Sequence, residues 1–332
     1  MNGKICGTGS SLPVRVVTNE VLAGFVDTND EWIRERTGIR QRHIISGQES
    51  TVSLAVEAAK KALEMSGIDP EEVDMILLSS ISSNLILPCG ACAVQAQIGA
   101  SHAVCYDLNA ACSGFVFAYN TAQAYIQAGM CRTVLVIGAD ALTDLTNWKD
   151  RSSCILFGDA AGAVVLQAAE EVPFECIMHS DGSKGRAMTC QSRNQAREVP
   201  WEDGYMQMDG KEIFKFATTR VPEVLHQLLD KLGMEAQEID AYILHQANGR
   251  ILESIARRMG LGLEKFPMNV GECANSSSAT VPVLLDQLNH RGELKKGQKI
   301  ILCGFGAGLS WGATYLEWQM DDAGDASGKG NI

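Results

Sequence analysis

The sequence predicts an α/β protein built from two similar halves. In the first half, apolar segments of strand length alternate with segments that have helical periodicity. The predicted strands cover residues 74–80, 103–108 and 133–138, and the predicted helices cover 51–65, 91–98 and 115–127. This alternation is typical of layered proteins in which helices cover both faces of a mostly parallel sheet.

The same pattern returns in the second half of the chain. Residues 67–78 align with 233–244 without a gap, and residues 133–138 align with 299–304, both 166 positions apart. An offset of half the chain length indicates an internal duplication. We therefore predict one half at 1–170, a second at 171–320, and a tail at 321–332 whose Gly, Asp and Ser content is typical of disorder.

The remaining elements follow from local pattern. A strand at 4–7 precedes a polar, turn-rich segment to residue 47, and a loose region is expected at 170–210. Further elements are predicted as strands at 163–167, 241–244 and 313–318 and as a helix at 250–259.

Composition limits the class of function. A chain of 332 residues with 46% apolar residues can bury a large core. Its net charge of −12 argues against nucleic acid as a partner. The sequence has no apolar run of membrane-spanning length, and it does not begin with a secretory signal. We expect a cytoplasmic protein that uses no membrane and keeps its eleven cysteines reduced.

Cys112 is placed where a predicted strand passes into a predicted helix. A helix N-terminus favours anions, and a contribution of ~1–2 kcal/mol would lower a thiol pKa from ~8.5 to about 7–7.5. The neighbouring residues are small and leave room for a substrate: Ala110, Ala111, Ser113 and Gly114. We therefore expect a reactive thiolate at Cys112, the alternative being one more packing cysteine.

Two polar residues of the second half are further candidates. His245 follows the strand at 241–244, at the carboxyl edge where α/β sheets bind ligands. Aligning Gly129 with Gly292, at an offset of 163, places Asn275 opposite Cys112 at the start of the twin helix. A structural histidine and a helix-capping asparagine are the alternatives.

Two other motifs give weaker signals. The glycine-rich segment 304–308 joins two predicted strands. Because a dinucleotide-binding fingerprint opens a helix, this segment is not one. It indicates instead a backbone that approaches a ligand closely and offers N–H donors. Cys89 and Cys92 have the spacing of a redox pair before a helix.

Taken together, these motifs resemble those of one known family. Cys112, His245, Asn275 and the 304–308 loop are the parts of a thiolase-fold condensing enzyme, and the chain resembles β-ketoacyl-acyl-carrier-protein synthase III over nearly its whole length. The resemblance is carried by residues 27–39, 110–114, 157–159, 244–248 with Arg250, and 275–282. It implies a thiolase-like fold with two pseudo-symmetric halves packed in αβαβα layers.

The resemblance also implies a reaction. An acyl group passes from acyl-CoA to Cys112, and the enolate formed by decarboxylation of malonyl-acyl carrier protein attacks the acyl-cysteine. His245 and Asn275 would donate hydrogen bonds to the malonyl thioester carbonyl, which requires a neutral imidazole. The backbone N–H groups of Cys112 and Ala307 would form the oxyanion hole for the tetrahedral intermediate.

The family's binding residues map onto two further sets in this chain. The expected coenzyme A contacts are Thr28, Trp32, Arg36, Arg151 and Asn248. The expected contacts to the acidic carrier protein are Lys215, Arg250, Arg257 and Arg258. Ordinary surface positions are the alternative for Trp32 and for the basic residues. The resemblance further implies a homodimer, acyl-CoA as a substrate, and no metal or permanently bound cofactor.

The chain departs from the family pattern at four positions. Ala160, Ala274 and Ala307 stand where glycine is frequent, which we expect to require negative φ angles there. Leu87 replaces a phenylalanine that often closes the acyl pocket, which predicts room for a longer or branched primer. Three other functions stay open: a polyketide starter enzyme, a 3-hydroxy-3-methylglutaryl-CoA synthase-like enzyme, and a redox protein using Cys89 and Cys92.

Overall fold

The structure, a computed structural model, describes residues 1–191 and 204–320. The tail predicted at 321–332 lies outside these residues. Within them, no helix combines the length and the apolar character that crossing a membrane requires.

The first half of the chain forms the first of two main sheets and its helices. Its elements are β1 (Asn2–Ser11), β2 (Val16–Thr18), α1 (Asn19–Ala23), α2 (Asp30–Thr37), β3 (Gln41–His43), α3 (Thr51–Ser66), β4 (Met75–Ser79), α4 (Gly90–Ile98), β5 (Val104–Leu108), α5 (Gly114–Gln127), β6 (Thr133–Ala141), α6 (Arg151–Cys154) and β7 (Asp159–Ala169).

The second half forms the other main sheet. Its elements are β8 (Phe174–Ser180), β9 (Met188–Thr189), β10 (Gln207–Met208), α7 (Gly210–Leu232), β11 (Ala241–Leu244), α8 (Gly249–Met259), α9 (Val270–Cys273), α10 (Thr280–His290), β12 (Lys299–Gly306) and β13 (Ser310–Glu317).

The strand order of the two sheets confirms the predicted duplication. The first sheet has the order β1-β7-β6-β4-β5, and the second has the order β8-β13-β12-β11. Equivalent strands of the two sheets pair in the same way: β4 and β6 are parallel, as are β11 and β12, whereas β6–β7 and β12–β13 are antiparallel. Among the described strands of these two main sheets, only β5 lacks a counterpart.

The helices and sheets form five layers that are held together by three apolar cores. Helices α5 and α10 lie between the two sheets and share one core with both of them. Helices α3 and α4 cover the outer face of the first sheet. Helices α7 and α8 cover the outer face of the second. Because both faces of each sheet are buried, their central strands are apolar throughout, and the predicted αβαβα layering is confirmed.

The predicted loose region at 170–210 is partly wrong. It contains β8, which pairs antiparallel with β13 along the edge of the second sheet. None of the residues of this edge strand is fully buried, and Glu175 and His179 break the apolar run that identifies central strands.

The structure corrects the counterpart assigned to Cys112. The turn Ala111–Ser113 precedes α5, and the turn Ser277–Ala279 precedes α10, at the original offset of 166. Both turns begin with a positive φ, 46° at Ala111 and 53° at Ser277. The twin of Cys112 is therefore Ser278, not Asn275. The error arose because α10 has 11 residues and α5 has 14, so aligning their C-terminal glycines shifted the register by three.

Glycines of the two sheets let these turns pack closely. A Cβ on Gly304 would lie 2.8 Å from Cα of Ser113, and a Cβ on its twin Gly138 would lie 2.5 Å from the carbonyl oxygen of Ser278. Both contacts are too close for any side chain. The turn Ala111–Ser113 is thus held against β12, and the turn Ser277–Ala279 is held against β6, the equivalent strand of the other half.

Ala274 contradicts the expectation that alanine in place of glycine would keep φ negative. Its φ is 56° and its ψ is −162°, a region that side chains rarely adopt. It follows α9 and precedes Asn275, whose N–H donates to the carbonyl of Leu156. Hydrogen bonds on both sides of Ala274 hold the backbone in this conformation, at a cost of about 1–3 kcal/mol.

Replacing Ala274 by glycine should stabilise the protein by about 1 kcal/mol, because the relieved backbone strain exceeds the extra entropy of an unfolded glycine. The urea midpoint of unfolding measures this change. Ala160→Gly is the matched control: Ala160 is fully buried in β7 without a positive φ, so its substitution should lower the midpoint. A fall in both variants would contradict the assigned strain.

Candidate active site

Cys112 lies at the bottom of a cavity between the two halves. The cavity has a volume of about 1040 Å³ and is lined by the 109–112 segment on one side and by 307–310 on the other. Gly306 packs directly on the cysteine: a Cβ there would lie 2.8 Å from Cβ of Cys112. The glycine-rich segment thus approaches the nucleophile's own backbone, which only a residue without a side chain allows.

The pKa of the Cys112 thiol is raised to about 12, mainly by burial. The hydroxyl of Ser277 opposes this shift, and the charge of Asp140 adds to it. The expected pKa of about 7–7.5 is therefore wrong for this structure. The dipole argument considered only the helix, whereas Cys112 is covered by the second half and lies two residues before the first residue of α5.

His245 follows β11 and is buried beside Thr280. Its Nδ1 lies 2.7 Å from Thr280 Oγ1, and its ring meets Phe305 edge-on, with the ring centroids 5.1 Å apart. Burial lowers the pKa of His245 to about 3. The imidazole is neutral at physiological pH, as the expected donor role requires.

Asn275 has its side-chain orientation set by the turn that follows it. Its Oδ1 accepts a hydrogen bond of 2.9 Å from the N–H of Ser277. Because the oxygen is occupied in this way, the amide NH₂ group points elsewhere and can act as a donor. The N-cap position of the turn Ser277–Ala279 is Ser276 and that of α10 is Ala279, so Asn275 does not fill the helix-capping role that was the alternative.

Ser277 connects the three predicted catalytic residues. Its N–H donates to Asn275 Oδ1, and its carbonyl raises the pKa of His245. Its hydroxyl is close enough to lower the pKa of Cys112, although Ser277 Oγ has no partner at hydrogen-bond distance in the described part of the chain. The same carbonyl accepts a hydrogen bond of 3.0 Å from Thr280 Oγ1. Cys112, His245 and Asn275 therefore surround one residue, although His245 and Asn275 do not themselves line the cavity.

The backbone of Ala307 faces Cys112 across the cavity, and two serines hold the loops together. Both predicted oxyanion-hole residues line the cavity wall. Ser113 Oγ lies 2.6 Å from Ser310 Oγ, so one hydroxyl donates to the other, and the second hydroxyl donates to a carbonyl of these loops, that of Ala110 or of Ala307. This bridge fixes the spacing between the two loops.

The rest of the cavity wall combines apolar and polar side chains. The apolar ones include Ile81, Phe117, Leu142, Leu145, Met188 and Met206, and the polar ones include Ser82, Asn84, Asp144 and Thr189. Leu87 is not among the lining residues, and its side chain is 84% exposed. The structure of this single chain therefore places the predicted pocket-closing residue on the surface, in the loop before α4.

The predicted coenzyme A contacts gather at α2, α6 and the start of α8. The guanidinium carbons of Arg36 and Arg151 lie 4.7 and 4.8 Å from the ring centroid of Trp32. Asn248 caps α8 and donates to the carbonyl of Arg36. The hydroxyl of Thr28 is buried and has no hydrogen-bond partner in the described part of the chain. None of these residues lines the Cys112 cavity.

The predicted carrier-protein contacts lie on two adjacent helices, α7 and α8. Lys215 is on α7, and Arg250, Arg257 and Arg258 are on α8. All four side chains are exposed. The basic residues of α8 lie opposite the face that the helix buries against the second sheet.

Cys89 and Cys92 are close together but poorly activated. Their sulfur atoms are 3.4 Å apart at the start of α4. The carboxylate of Asp107 already accepts from the N–H groups of Gly90 and Ala91, so another anion already occupies the helix N-terminus. The pKa of Cys92 is raised, first by its hydrogen bond with Cys89.

Sequence reasoning missed three residues of the site: Ser277, Thr280 and Asp140. The first two belong to the 275–282 motif, but nothing in the sequence indicates which of its hydroxyl groups meet Cys112 or His245. Asp140 could have been suspected, because it is an acidic residue at the carboxyl end of an apolar strand.

Family models and known proteins match this chain. The model "3-Oxoacyl-[acyl-carrier-protein (ACP)] synthase III" matches residues 106–184, and the model of its C-terminal part matches residues 229–318. β-Ketoacyl-[acyl-carrier-protein] synthase III of Clostridium acetobutylicum is 42% identical over 320 residues, 95% of this chain and 98% of the relative. The enzyme of that name from Synechococcus elongatus is 45% identical over 325 residues, covering 95% and 96%.

Solved structures agree in fold and extent. The 3-oxoacyl-[acyl-carrier-protein] synthase III of Aquifex aeolicus superposes with a TM-score of 0.90 at 38% identity, covering 95% of this chain and 100% of that one. The priming β-ketosynthase of the R1128 polyketide pathway has a TM-score of 0.92 at 32% identity and covers 97% of both chains. The chain therefore belongs to the 3-oxoacyl-[acyl-carrier-protein] synthase III family and has its thiolase-like fold.

Proposed function

We propose that this enzyme transfers an acyl group from acyl-CoA to Cys112 and condenses it with malonyl-acyl carrier protein, releasing coenzyme A, CO₂ and 3-oxoacyl-acyl carrier protein. One observation carries the proposal. A buried cysteine of one half lines a large cavity, and a histidine and an asparagine of the other half meet it around Ser277. Family membership supports the same reaction class.

In the first step, the Cys112 sulfur attacks the thioester carbonyl of acyl-CoA. The carbon–sulfur bond to coenzyme A breaks, and the proton of Cys112 ends on the coenzyme A thiol. With a pKa of about 12 the free thiol is almost fully protonated at neutral pH, so loss of its proton accompanies attack. The N–H groups of Cys112 and Ala307 stabilise the oxyanion of the tetrahedral intermediate.

In the second step, malonyl-acyl carrier protein loses CO₂ and its enolate attacks the acyl-cysteine. The new carbon–carbon bond expels the Cys112 sulfur, which takes a proton. His245 and Asn275 donate hydrogen bonds to the enolate oxygen. Because burial lowers the pKa of His245 to about 3, protonation removes the neutral imidazole only in strong acid, below about pH 4.

Thr280 selects the nitrogen of His245 that carries the hydrogen. Its single hydroxyl hydrogen has two acceptors within reach, Nδ1 of His245 at 2.7 Å and the carbonyl of Ser277 at 3.0 Å. In the condensing state Thr280 donates to Nδ1, so that Nε2 carries the hydrogen and can donate to the enolate. Nothing else in the site enforces this tautomer.

The substrates bind on the surfaces described above. The Trp32 cluster, with Thr28, Arg36, Arg151 and Asn248, receives the nucleotide of acyl-CoA, whose adenine would replace one guanidinium against the indole. Lys215, Arg250, Arg257 and Arg258 receive the acidic carrier protein. The reaction balances with acyl-CoA and the malonyl donor alone, so the proposal includes no permanently bound cofactor.

A homodimer and a cytoplasmic location are part of the proposal. The outer edge of β5 has no strand partner in the described residues, and Val104 on it is 60% exposed. Leu87, on the exposed apolar loop before α4, would then reach a partner's acyl cavity.

All eleven cysteines are free, as in a reducing compartment. Sedimentation of the purified protein tests the dimer.

A polyketide priming reaction is the second candidate. The similarity to the R1128 priming enzyme favours it, because that protein shares the same fold and 32% of its residues with this chain. The two functions use the same chemistry and differ in primer. A 3-hydroxy-3-methylglutaryl-CoA synthase-like reaction has no such support. A Cys89–Cys92 redox role is disfavoured, because the charge of Asp107 opposes thiolate formation at Cys92 beside α4.

Mass spectrometry of the intact protein tests both steps. Incubation with a panel of acyl-CoAs should add one acyl mass to the wild type, and none to Cys112→Ser. Asn275→Ala should still acquire the acyl group but should not release it to malonyl-acyl carrier protein, because it lacks one enolate donor. If Asn275→Ala also blocks acylation, the division between the steps is wrong. Acylation by acetyl-CoA alone would exclude the longer primers inferred from Leu87.

Thr280→Val should slow condensation at least tenfold while leaving acylation unchanged. Without the hydroxyl, Nδ1 loses the group that donates to it, so the hydrogen can move to Nδ1 and Nε2 then stops donating. Single-turnover reaction of the preformed acyl-enzyme measures the step. Thr280→Ser keeps the hydroxyl and should retain most of the rate. Equal loss in both variants would point to packing instead.

Trp32→Ala should raise KM for acyl-CoA about tenfold with kcat within about twofold, because stacking contributes to binding and not to the chemical step. Steady-state kinetics with saturating malonyl-acyl carrier protein measure both constants. Trp148→Ala is the control, since Trp148 is also half-buried against the same core but is not placed at the coenzyme A surface. A similar KM increase in the control would contradict the assignment.

A further inference from the structure

Asp140 is a fully buried carboxylate that the proposed reaction does not use. It is the penultimate residue of β6 and lies where the two halves meet. Its twin in the second half is Gly306, the residue that packs on Cys112. Gly306 therefore packs against the turn that holds Cys112, and Asp140 lies at the equivalent place against the twin turn, at Ser278.

Five neutral donors surround the carboxylate. Oδ1 accepts from Ser80 Oγ at 3.2 Å, from Ile81 N–H at 2.8 Å and from Ser82 Oγ at 2.8 Å. Oδ2 accepts from the N–H of Ser278 at 3.2 Å and from its hydroxyl at 2.8 Å. Burial raises the pKa of Asp140, and these hydrogen bonds oppose the shift.

The donor set favours an ionised carboxylate. Each oxygen faces a backbone N–H, Ile81 on one side and Ser278 on the other, and a backbone N–H can only donate. A carboxamide would place its NH₂ group against one of them, and a protonated acid would weaken one acceptor. The negative charge is thus held in the interior by hydrogen bonds alone.

These bonds connect the active-site turn to the first sheet. Ser278 follows Ser277, the residue around which the three predicted catalytic groups meet. Its single hydroxyl hydrogen has two acceptors within reach, Oδ2 of Asp140 at 2.8 Å and the carbonyl of Ser79 at 3.0 Å. The titratable groups facing this turn are Cys112, His245 and Asp140. His245 is neutral, so Asp140 supplies the charge that acts on the thiol.

We propose that Asp140 is a positioning residue of the condensation site, whose carboxylate fixes the Ser277–Ser278 turn beside Cys112 and whose charge disfavours a second negative charge on the cysteine sulfur. The positioning part rests on the proposed function; the effect on the sulfur does not. Burial is the main reason why the free thiol is protonated, and the carboxylate adds to this effect. A protonated cysteine reacts slowly with adventitious electrophiles, so the charge slows such reactions further until a thioester is bound and the proton can leave with coenzyme A.

Asp140→Asn tests the charge, with Asp159→Asn as a matched control. Asp159 is also buried, and each of its oxygens also faces a backbone N–H, that of Thr143 or of Ile45, but it does not contact the Ser277–Ser278 turn. Both variants are treated at pH 8 with iodoacetamide, which is neutral, and with iodoacetate, which is an anion. Peptide mass spectrometry follows alkylation of Cys112 against the ten other cysteines.

We expect Asp140→Asn to speed alkylation of Cys112 by iodoacetamide at least threefold, and alkylation by iodoacetate by a larger factor. Losing a nearby negative charge lowers the thiol pKa and also removes repulsion of the anionic reagent. A site that had merely opened would speed both reagents equally. Asp159→Asn should leave both rates within about twofold of wild type.

Unchanged rates in folded Asp140→Asn, an equal increase for both reagents, or the same change in Asp159→Asn would each overturn the electrostatic part. If Asp140→Asn does not fold, Ser278→Ala replaces it. That variant removes one donor to the carboxylate, which makes the acid easier to protonate, so it should give a smaller change in the same direction; unchanged rates there would also overturn the proposal.

The positioning part has its own measurement. Asp140→Asn should slow single-turnover condensation at least tenfold, whereas acylation should not slow, because the thiol ionises more readily. Condensation at the wild-type rate would overturn this part alone. If the wild-type protein accepts no acyl group from acyl-CoA, the proposed function fails, and the alkylation rates still decide the electrostatic part.

Discussion

The site depends on close backbone contact between the Cys112 turn and Gly306 of the opposite half. The two sheets and the paired helices α5 and α10 bring these segments together at the centre of the molecule. Because no side chain intervenes, the backbone N–H groups of two different loops can face one carbonyl oxygen. The arrangement places donors from one half around a nucleophile from the other, so neither half holds a complete site.

Burial determines the protonation states within the site. It raises the pKa of Cys112 and lowers that of His245, so both are neutral in the free enzyme. A neutral imidazole suits a role as a hydrogen-bond donor, and a neutral thiol is protected from side reactions. The buried carboxylate next to these groups is that of Asp140, and hydroxyl and backbone donors hold it in place. Substrate binding must therefore supply the conditions for proton loss, since the resting site does not.

The sequence predicted the layered fold well, because buried strands and amphipathic helices have distinct periods and the duplication repeats them at a fixed offset. It missed β8, since an edge strand with Glu175 and His179 lacks a continuous apolar run. It paired Cys112 with Asn275, because unequal helix lengths displaced the glycines used for alignment. The low thiol pKa failed for another reason: a local dipole argument does not include the second half that covers the sulfur.

The exchange of Gly306 for Asp140 between the twin positions makes the duplication functionally one-sided. Gly306 lets its strand pack directly on Cys112, whereas Asp140 at the equivalent position contacts the hydroxyl and the N–H of Ser278. A cysteine in place of Ser278 would therefore face a carboxylate and not a glycine backbone. The two copies of the repeat now contribute differently, one with the cysteine and the other with the glycine-rich segment that covers it.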